Sequence, residues 1–414
     1  MKKFFRFSLL LAIVAMLAGT VAPAFAQDPT ATPFEPVPSE EGVLTIWINL
    51  ERVAVIEEIG KEFEAKYGVP VRIQTMGFGD VRNNFNIAAP AGEGPDIIIG
   101  AHDWIGQLYS NGLLAPIELS DELKAKFDPV SLDGFTYEGK LVGLPYQTEA
   151  VAVYYNKDLM PDGVPATWAE TVDLAKKLVA DGKAEAGLGL NPDYYHNHAL
   201  FTGFGGGVFG RDEVGAYDPK NVLLDSEGSI AAAAELDRLV KEGVLKDGLG
   251  YDQLRDLFKS GKLAMWITGP WALLDIRTTD IKFGVAPIPM MAQTPKPFVG
   301  VQGFMVNALS KNLLLAQAFL TEFIATDENM VKIIKAQPGI PAYTPIIDEV
   351  ADADIQGFAA SVANGEPMPA IPEMSAVWNS VGSAITLIIQ QKEAPDKVMT
   401  DAAKAIRDEI AKSN

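Results

Sequence analysis

The chain has no cysteine and only three histidines among its 414 residues. The first absence excludes disulfides, thiolate chemistry and cysteine-ligated metal sites, and leaves no cysteine for a lipid to modify. The second leaves His102, His196 and His198 as the whole supply of imidazole. Positive charge is also scarce: 34 Lys and Arg stand against 54 Asp and Glu, for a net charge of −20. Nucleic acids and anionic membranes both require a basic surface, so no nucleic-acid partner is expected. Beyond the first residues there is no apolar run long enough to span a bilayer.

What is present begins with Lys2, Lys3 and Arg6, an apolar run over 8–17, and small residues ending Ala24-Phe25-Ala26. A basic head, a short apolar core and an A-x-A site predict a signal peptide over 1–26, cleaved after Ala26. The expected location is periplasmic or secreted, and the charge after cleavage is −23 because three cations and no acid are removed. Residues 27–41 carry Pro29, Pro33, Pro36 and Pro38 and predict an extended spacer. The remainder exceeds the size at which one core stops growing, so two are expected.

The folded part opens with an apolar strand over 43–48. A helix over 53–67 has Ile56, Ile59, Gly60 and Phe63 on one stripe and stops at Gly68. A strand over 69–75, a helix over 80–88 and a strand over 96–99 follow. This alternation predicts a parallel sheet with helices on both faces. Thr167-x-x-Glu170 is a capping box opening a helix to 180. Further helices are expected over 252–260, over 311–334 with Ser310 as cap, over 374–391 and over 395–412. Open α/β sheets bind ligands where loops leave the carboxyl ends of their strands. Here those places hold Asn49 to Arg52 and Gly100 to Asp103.

Several motifs point to chemistry and fall short of it. Gly205-Gly206-Gly207-Val208-Phe209-Gly210 matches G-x-G-x-x-G, but Arg211-Asp212-Glu213 follows instead of a helical stripe, so a turn is expected. His196 and His198 form an H-x-H pair with too few companions for zinc, which needs three or four ligands. No serine lies in a G-x-S-x-G elbow. Asp103, Glu149 and Asp193 match a glycosidase's carboxylates in type, but hydrolysis needs two at a set separation, which spacing does not supply. Trp271, after Thr268-Gly269-Pro270, and Trp378, near a helix start, stand at element ends. Aromatic faces suit pyranose C–H surfaces, and carboxylates suit the hydroxyls around them.

The stretches Leu44-Thr45-Ile46-Trp47-Ile48-Asn49, Gly94-Pro95-Asp96-Ile97-Ile98 and Ala101-His102-Asp103 carry a resemblance. So do Glu149-Ala150, Tyr155-Asn156-Lys157-Asp158-Leu159, Ala264-Met265 with Thr268-Gly269-Pro270-Trp271, and Met374-Ser375-Ala376 with Trp378. In this order they resemble the maltose- and maltodextrin-binding proteins among the extracellular solute-binding proteins of carbohydrate ABC importers. The resemblance implies an α/β, two-lobed periplasmic binding protein fold (type II), with open sheets and a ligand cleft between lobes. Lobe 1 would be 42–147 with 299–350, and lobe 2 would be 148–298 with 351–414. It implies a monomeric, non-enzymatic receptor that needs no cofactor and hands a maltose-like di- or oligosaccharide to membrane permease subunits. The ligand-binding positions it implies are Glu51, Arg52, Asp103, Glu149, Asp193, Tyr195, Tyr251, Trp271, Met368 and Trp378. Three positions depart from the maltose binders: Gly100 stands for a tryptophan, Trp104 for an arginine and Gly382 for another arginine. Two glycines at these positions predict emptier subsites. A receptor for a polyamine on the same scaffold is the alternative, with Arg52 speaking against a polycation.

Overall fold

The computed structural model describes residues 35–413, and from Pro36 onward the chain forms one compact unit. The expected signal peptide and the first part of the expected spacer lie outside the described residues. The end of that spacer is fastened to the fold. Val37 N–H donates to Gln74 Oε1 at 2.7 Å, and Trp47 Nε1 donates to the Val37 carbonyl at 3.0 Å. The Ser39 hydroxyl donates to the fully buried Asp96 at 2.5 Å. Asp96 also accepts from Thr45 N–H, the Ser310 hydroxyl and the Asn312 amide, so its carboxylate is satisfied without a cation.

Two main sheets are built chiefly from nine longer strands: β1 (Leu44–Ile48), β2 (Val71–Thr75), β3 (Ile97–Ala101), β4 (Leu144–Glu149), β5 (Ala152–Asn156), β6 (Ala186–Leu190), β7 (Leu263–Thr268), β8 (Phe283–Ala286) and β9 (Phe298–Asn307). The first sheet runs Ile340–Pro341, β4, β9, β3, β1, β2, with two short strands also paired to β9. The second runs β8, β5, β7, β6. β1, β2 and β3 are mutually parallel, as their alternation with helices predicts, but β9 runs antiparallel to both β3 and β4. The first sheet is therefore mixed. β1, β3 and β4 are buried along their whole length, which explains the nearly continuous apolar runs of β1 and β3, whereas β4 buries the polar Gln147, Thr148 and Glu149.

Local signals set most boundaries. The helix Val53–Tyr67 ends on Gly68, whose φ of 69° is the left-handed conformation that a glycine C-cap supplies. Thr167 and Glu170 form the expected capping box at the helix Trp168–Ala180. The helix expected over 311–334 is a correction: it is broken into Leu313–Ala318, a π-helical turn Phe319–Ile324, and Asp327–Ala336. The Ser310 hydroxyl donates to Asp96 and accepts from Asn312 N–H just ahead of the first segment, and Thr326 caps the second segment by accepting from Asn329 N–H.

The chain passes from the first sheet to the second across two residues, between Glu149 at the end of β4 and Ala152 at the start of β5. β9 lies opposite, with Gly300 paired to Glu149 and Gln302 paired to Gln147. That crossing is where the expected binding residues gather.

Candidate functional site

Because strand side chains alternate, Gln147 and Glu149 share one face of β4, and Gly300 and Gln302 share the facing positions of β9. Glu149 accepts from Gln147 Nε2 at 3.0 Å and from Gln302 Nε2 at 2.9 Å. Burial raises its carboxyl above the usual range, offset in part by Gln302 and by the positive charge of Arg52. Gly300 opens the space in front of it. A Cβ there would stand 3.4 Å from both Met368 Cε and the Tyr195 hydroxyl, and 3.5 Å from Glu149 Cγ. Glu149, Tyr195 and Met368 thus converge on one point. The Tyr195 hydroxyl and Gln302 Oε1 are buried there without a hydrogen-bond partner among the described residues.

Arg52 lies behind this group. It is buried, donates to Gln147 Oε1 at 2.7 Å and to Gln337, and covers the Tyr146 ring at 4.6 Å. Its guanidinium holds the amide that holds Glu149, so its place is one step back from the convergence point. Glu51 beside it is exposed and accepts from Asn49 Nδ2 at 2.5 Å.

On β3's carboxyl side, His102, Asp103 and Trp104 form a short 3-10 turn, all three buried. His102 Nδ1 accepts from Val301 N–H at 3.0 Å, which leaves Nε2 to donate to the Met368 carbonyl at 3.3 Å. The imidazole thereby ties β9 to the Met368 segment, and burial pushes it down to about 4. Asp103 accepts from Trp378 Nε1 at 3.2 Å. Burial raises its carboxyl to about 6, with the Arg82 charge and the Trp378 hydrogen bond opposing.

The third group comes from the second sheet. Asp193 caps the helix Tyr194–Gly203 by accepting from His196 N–H at 3.0 Å, and also accepts from His196 Nδ1 at 2.8 Å. The Trp271 ring lies 6.0 Å from Tyr195 and 5.7 Å, edge-on, from His196. It folds back over Gly269, where a Cβ would stand 2.0 Å from the indole. Trp271 and Trp378 are both half-buried, whereas Trp47 and Trp266 are fully buried. Tyr251 packs 5.2 Å from Trp266, and burial and then the Asp275 charge raise its hydroxyl, with Glu51 adding to them. His196 and His198 turn in different directions, as residues two apart on a helix must. His198 bonds Tyr194 and Glu366 and stacks 3.4 Å from Phe298.

Two glycines behave differently from each other. The space left by Gly100 is filled by Trp104, whose ring would stand 1.8 Å from a Cβ at position 100. The emptier subsite expected there is therefore corrected: the indole arrives from four residues later and packs 4.9 Å from Phe78. At Gly382 no atom lies within 4 Å of a Cβ, so that position is open. Gln147, Gln302 and Gln337 escaped the sequence reading, although the two-residue spacing of Gln147 and Glu149 on a buried strand is a usable sign.

Buried carboxylates and amides facing half-buried indoles, where the chain crosses between two sheets, define a receptor for a polar solute. The chain belongs to the bacterial extracellular solute-binding protein family, whose model matches residues 58–363. It is 28% identical over 382 residues to the galactooligosaccharide-binding protein of Bacillus subtilis (strain 168), covering 90% of each chain. It is 30% identical over 390 residues to the maltooligosaccharide ABC transporter solute-binding lipoprotein of Streptococcus pneumoniae (strain ATCC BAA-255 / R6), again covering 90% of each. A third relative is the maltotriose-binding protein of Pyrococcus abyssi (strain GE5 / Orsay), 28% identical over 393 residues, covering 90% of this chain and 82% of that one. Among the described residues, no helix is long and apolar enough to cross a membrane.

Proposed function

We propose that the protein captures a di- or oligosaccharide outside the cytoplasm and delivers it, unreacted, to the permease subunits of an ABC importer. The observation that carries this is the pair of buried, unpartnered atoms beside Glu149, the Tyr195 hydroxyl and Gln302 Oε1. Buried polar atoms are rarely left without partners, and a sugar hydroxyl both donates and accepts. The half-buried indoles of Trp271 and Trp378 supply flat apolar faces for pyranose rings. The names of the three relatives support a carbohydrate over other solutes. In this reading 42–147 with 299–350 and 148–298 with 351–414 are lobes that close on the sugar, and Glu149 and Gly300 mark the hinge.

The polyamine alternative is opposed by Arg52, whose positive charge acts on Glu149 from behind. The three relatives, each named for a saccharide, also favour a carbohydrate over it. A thermal-shift panel of mono-, di- and oligosaccharides with spermidine as comparator tests the reading, since selective binding to the native state raises Tm. Stabilisation by a saccharide class is expected. Stabilisation by spermidine alone, weakened steeply by salt, would sink the carbohydrate reading.

A further inference from the structure

We propose that the glycan carries a carboxylate, a hexuronate unit, and that Arg82 is the residue that holds it; this rests on the carbohydrate reading above. A cavity of ≈ 410 Å³ has Arg82, Asn86, Gln107, Ser375, Asn379 and Glu409 in its lining, Asn379 being the next residue after Trp378. Only Arg82 and Glu409 among its lining residues carry charge, and Glu409 has Lys412 at 4.0 Å. Arg82 has no carboxylate within ion-pair distance among the described residues. This is unusual in a chain with 54 acidic residues against 34 basic ones. Arg72, Arg211, Arg238, Arg255, Arg277 and Arg407 all have one. Arg52 is taken up by Gln147 and Gln337. Arg82 has only the Asn83 side chain, at 3.4 Å.

The cavity is continuous in chemistry with the site. The helix Ser375–Ile389 places Ser375, Trp378, Asn379 and the open position Gly382 on one face, at spacings of three and four residues. Gln107 lies one helical turn past Asp103, and the Arg82 charge already acts on the Asp103 carboxyl. A sugar seated on Trp378 and Asp103 would therefore present its next ring to Arg82. A guanidinium fork matches a carboxylate in two parallel hydrogen bonds, which a neutral hydroxymethyl group cannot reproduce. Apart from Ala376 and Ala405, the remaining lining is amide and hydroxyl. Asn86 accepts from Asn111 at 3.1 Å through Oδ1, which leaves its amide N–H groups to donate. The net charge of −20 opposes an anion at long range, so the preference must come from this local contact.

The test is calorimetry of the full chain with α-1,4-digalacturonate and with α-1,4-galactobiose, its neutral counterpart, on wild type, Arg82→Gln and Arg82→Lys. Wild type should prefer the acidic disaccharide about tenfold, a difference of about 1.4 kcal/mol. Arg82→Gln should lose that preference, weakening the acidic disaccharide about tenfold more than the neutral one, and Arg82→Lys should keep part of it, as a charge without the fork. Unfolding temperatures of the variants verify that they are folded. Equal or tighter binding of the neutral disaccharide by wild type overturns the proposal, as does an Arg82→Gln loss shared equally by both ligands. In either case the carbohydrate reading stands. If wild type binds no glycan of either kind in a wider panel, both readings fall.

Discussion

Replacing Asp103 by asparagine should make the protein more stable and a worse receptor. The carboxyl is buried, and its folded value is raised from 3.8 to about 6. The sign follows from proton linkage. Between those two values the native state holds a proton that the unfolded state has released, so stability is full below about 3.8 and is lost as pH rises through about 6. Two pK units at 1.36 kcal/mol each put the penalty of the ionised form at about 3 kcal/mol, as an upper figure. Asparagine keeps an oxygen for Trp378 Nε1 and carries no charge. Urea unfolding of both proteins at pH 4 and pH 7.5 isolates the effect, because every other group, including His102, cancels in the difference. The variant should gain about 1–3 kcal/mol at pH 7.5 and little at pH 4. Its sugar affinity should fall by about 1.5–3 kcal/mol, the worth of a hydrogen bond to a charged group. A gain of equal size at both pH values, or a loss at pH 7.5, would refute the reasoning.

Trp271→Ala and Trp378→Ala should each weaken sugar binding by about 2–4 kcal/mol, as for aromatic hot spots, measured by calorimetry. If unfolding temperature drops while affinity holds, the indoles are packing residues instead. Gly100→Ala should destabilise the fold by about 1–3 kcal/mol in urea unfolding, because the new methyl must displace the Trp104 ring. An unchanged midpoint would mean that the ring moves freely. Small-angle scattering should record a smaller radius of gyration with saturating sugar, and an unchanged profile with bound ligand would count against lobe closure.

The sequence was most informative where the cause is local. Gly68 ends its helix, Thr167 and Glu170 build their box, and the two C-terminal helices, Ser375–Ile389 and Pro395–Ser413, begin and end close to expectation. It failed where a side chain had two uses. Ser310 has the residue type of a cap and serves Asp96, a residue 214 positions away. The Thr326-Asp327-Glu328 start signal is readable, but the apolar run on both sides masks it. In the candidate site, Asp103, Glu149 and the indoles are legible by type and by position at element ends. Arg52 does not: beside Glu51 it looks like a rim residue, and only the third dimension brings Gln147 and Gln337 around it. Asp193 was read as a sugar contact, and its carboxylate is also a helix cap and the partner of His196. Tyr251, expected in the pocket, also packs against Trp266.

The indole of Trp104 standing in the space over Gly100 makes those two positions a single unit of inheritance. Any residue larger than glycine at position 100 is barred while Trp104 stays. Shrinking residue 104 first would strip a buried ring from the end of β3 with nothing to replace it. A wall built from position 100 and a wall built from position 104 can be equally good, yet each single step between them crosses a less stable protein. Changes at such a pair are strongly non-additive. Descendants of this chain should therefore revise this wall in coupled substitutions or leave it alone, whereas at Gly382, where nothing stands in the way, they are free to experiment one residue at a time.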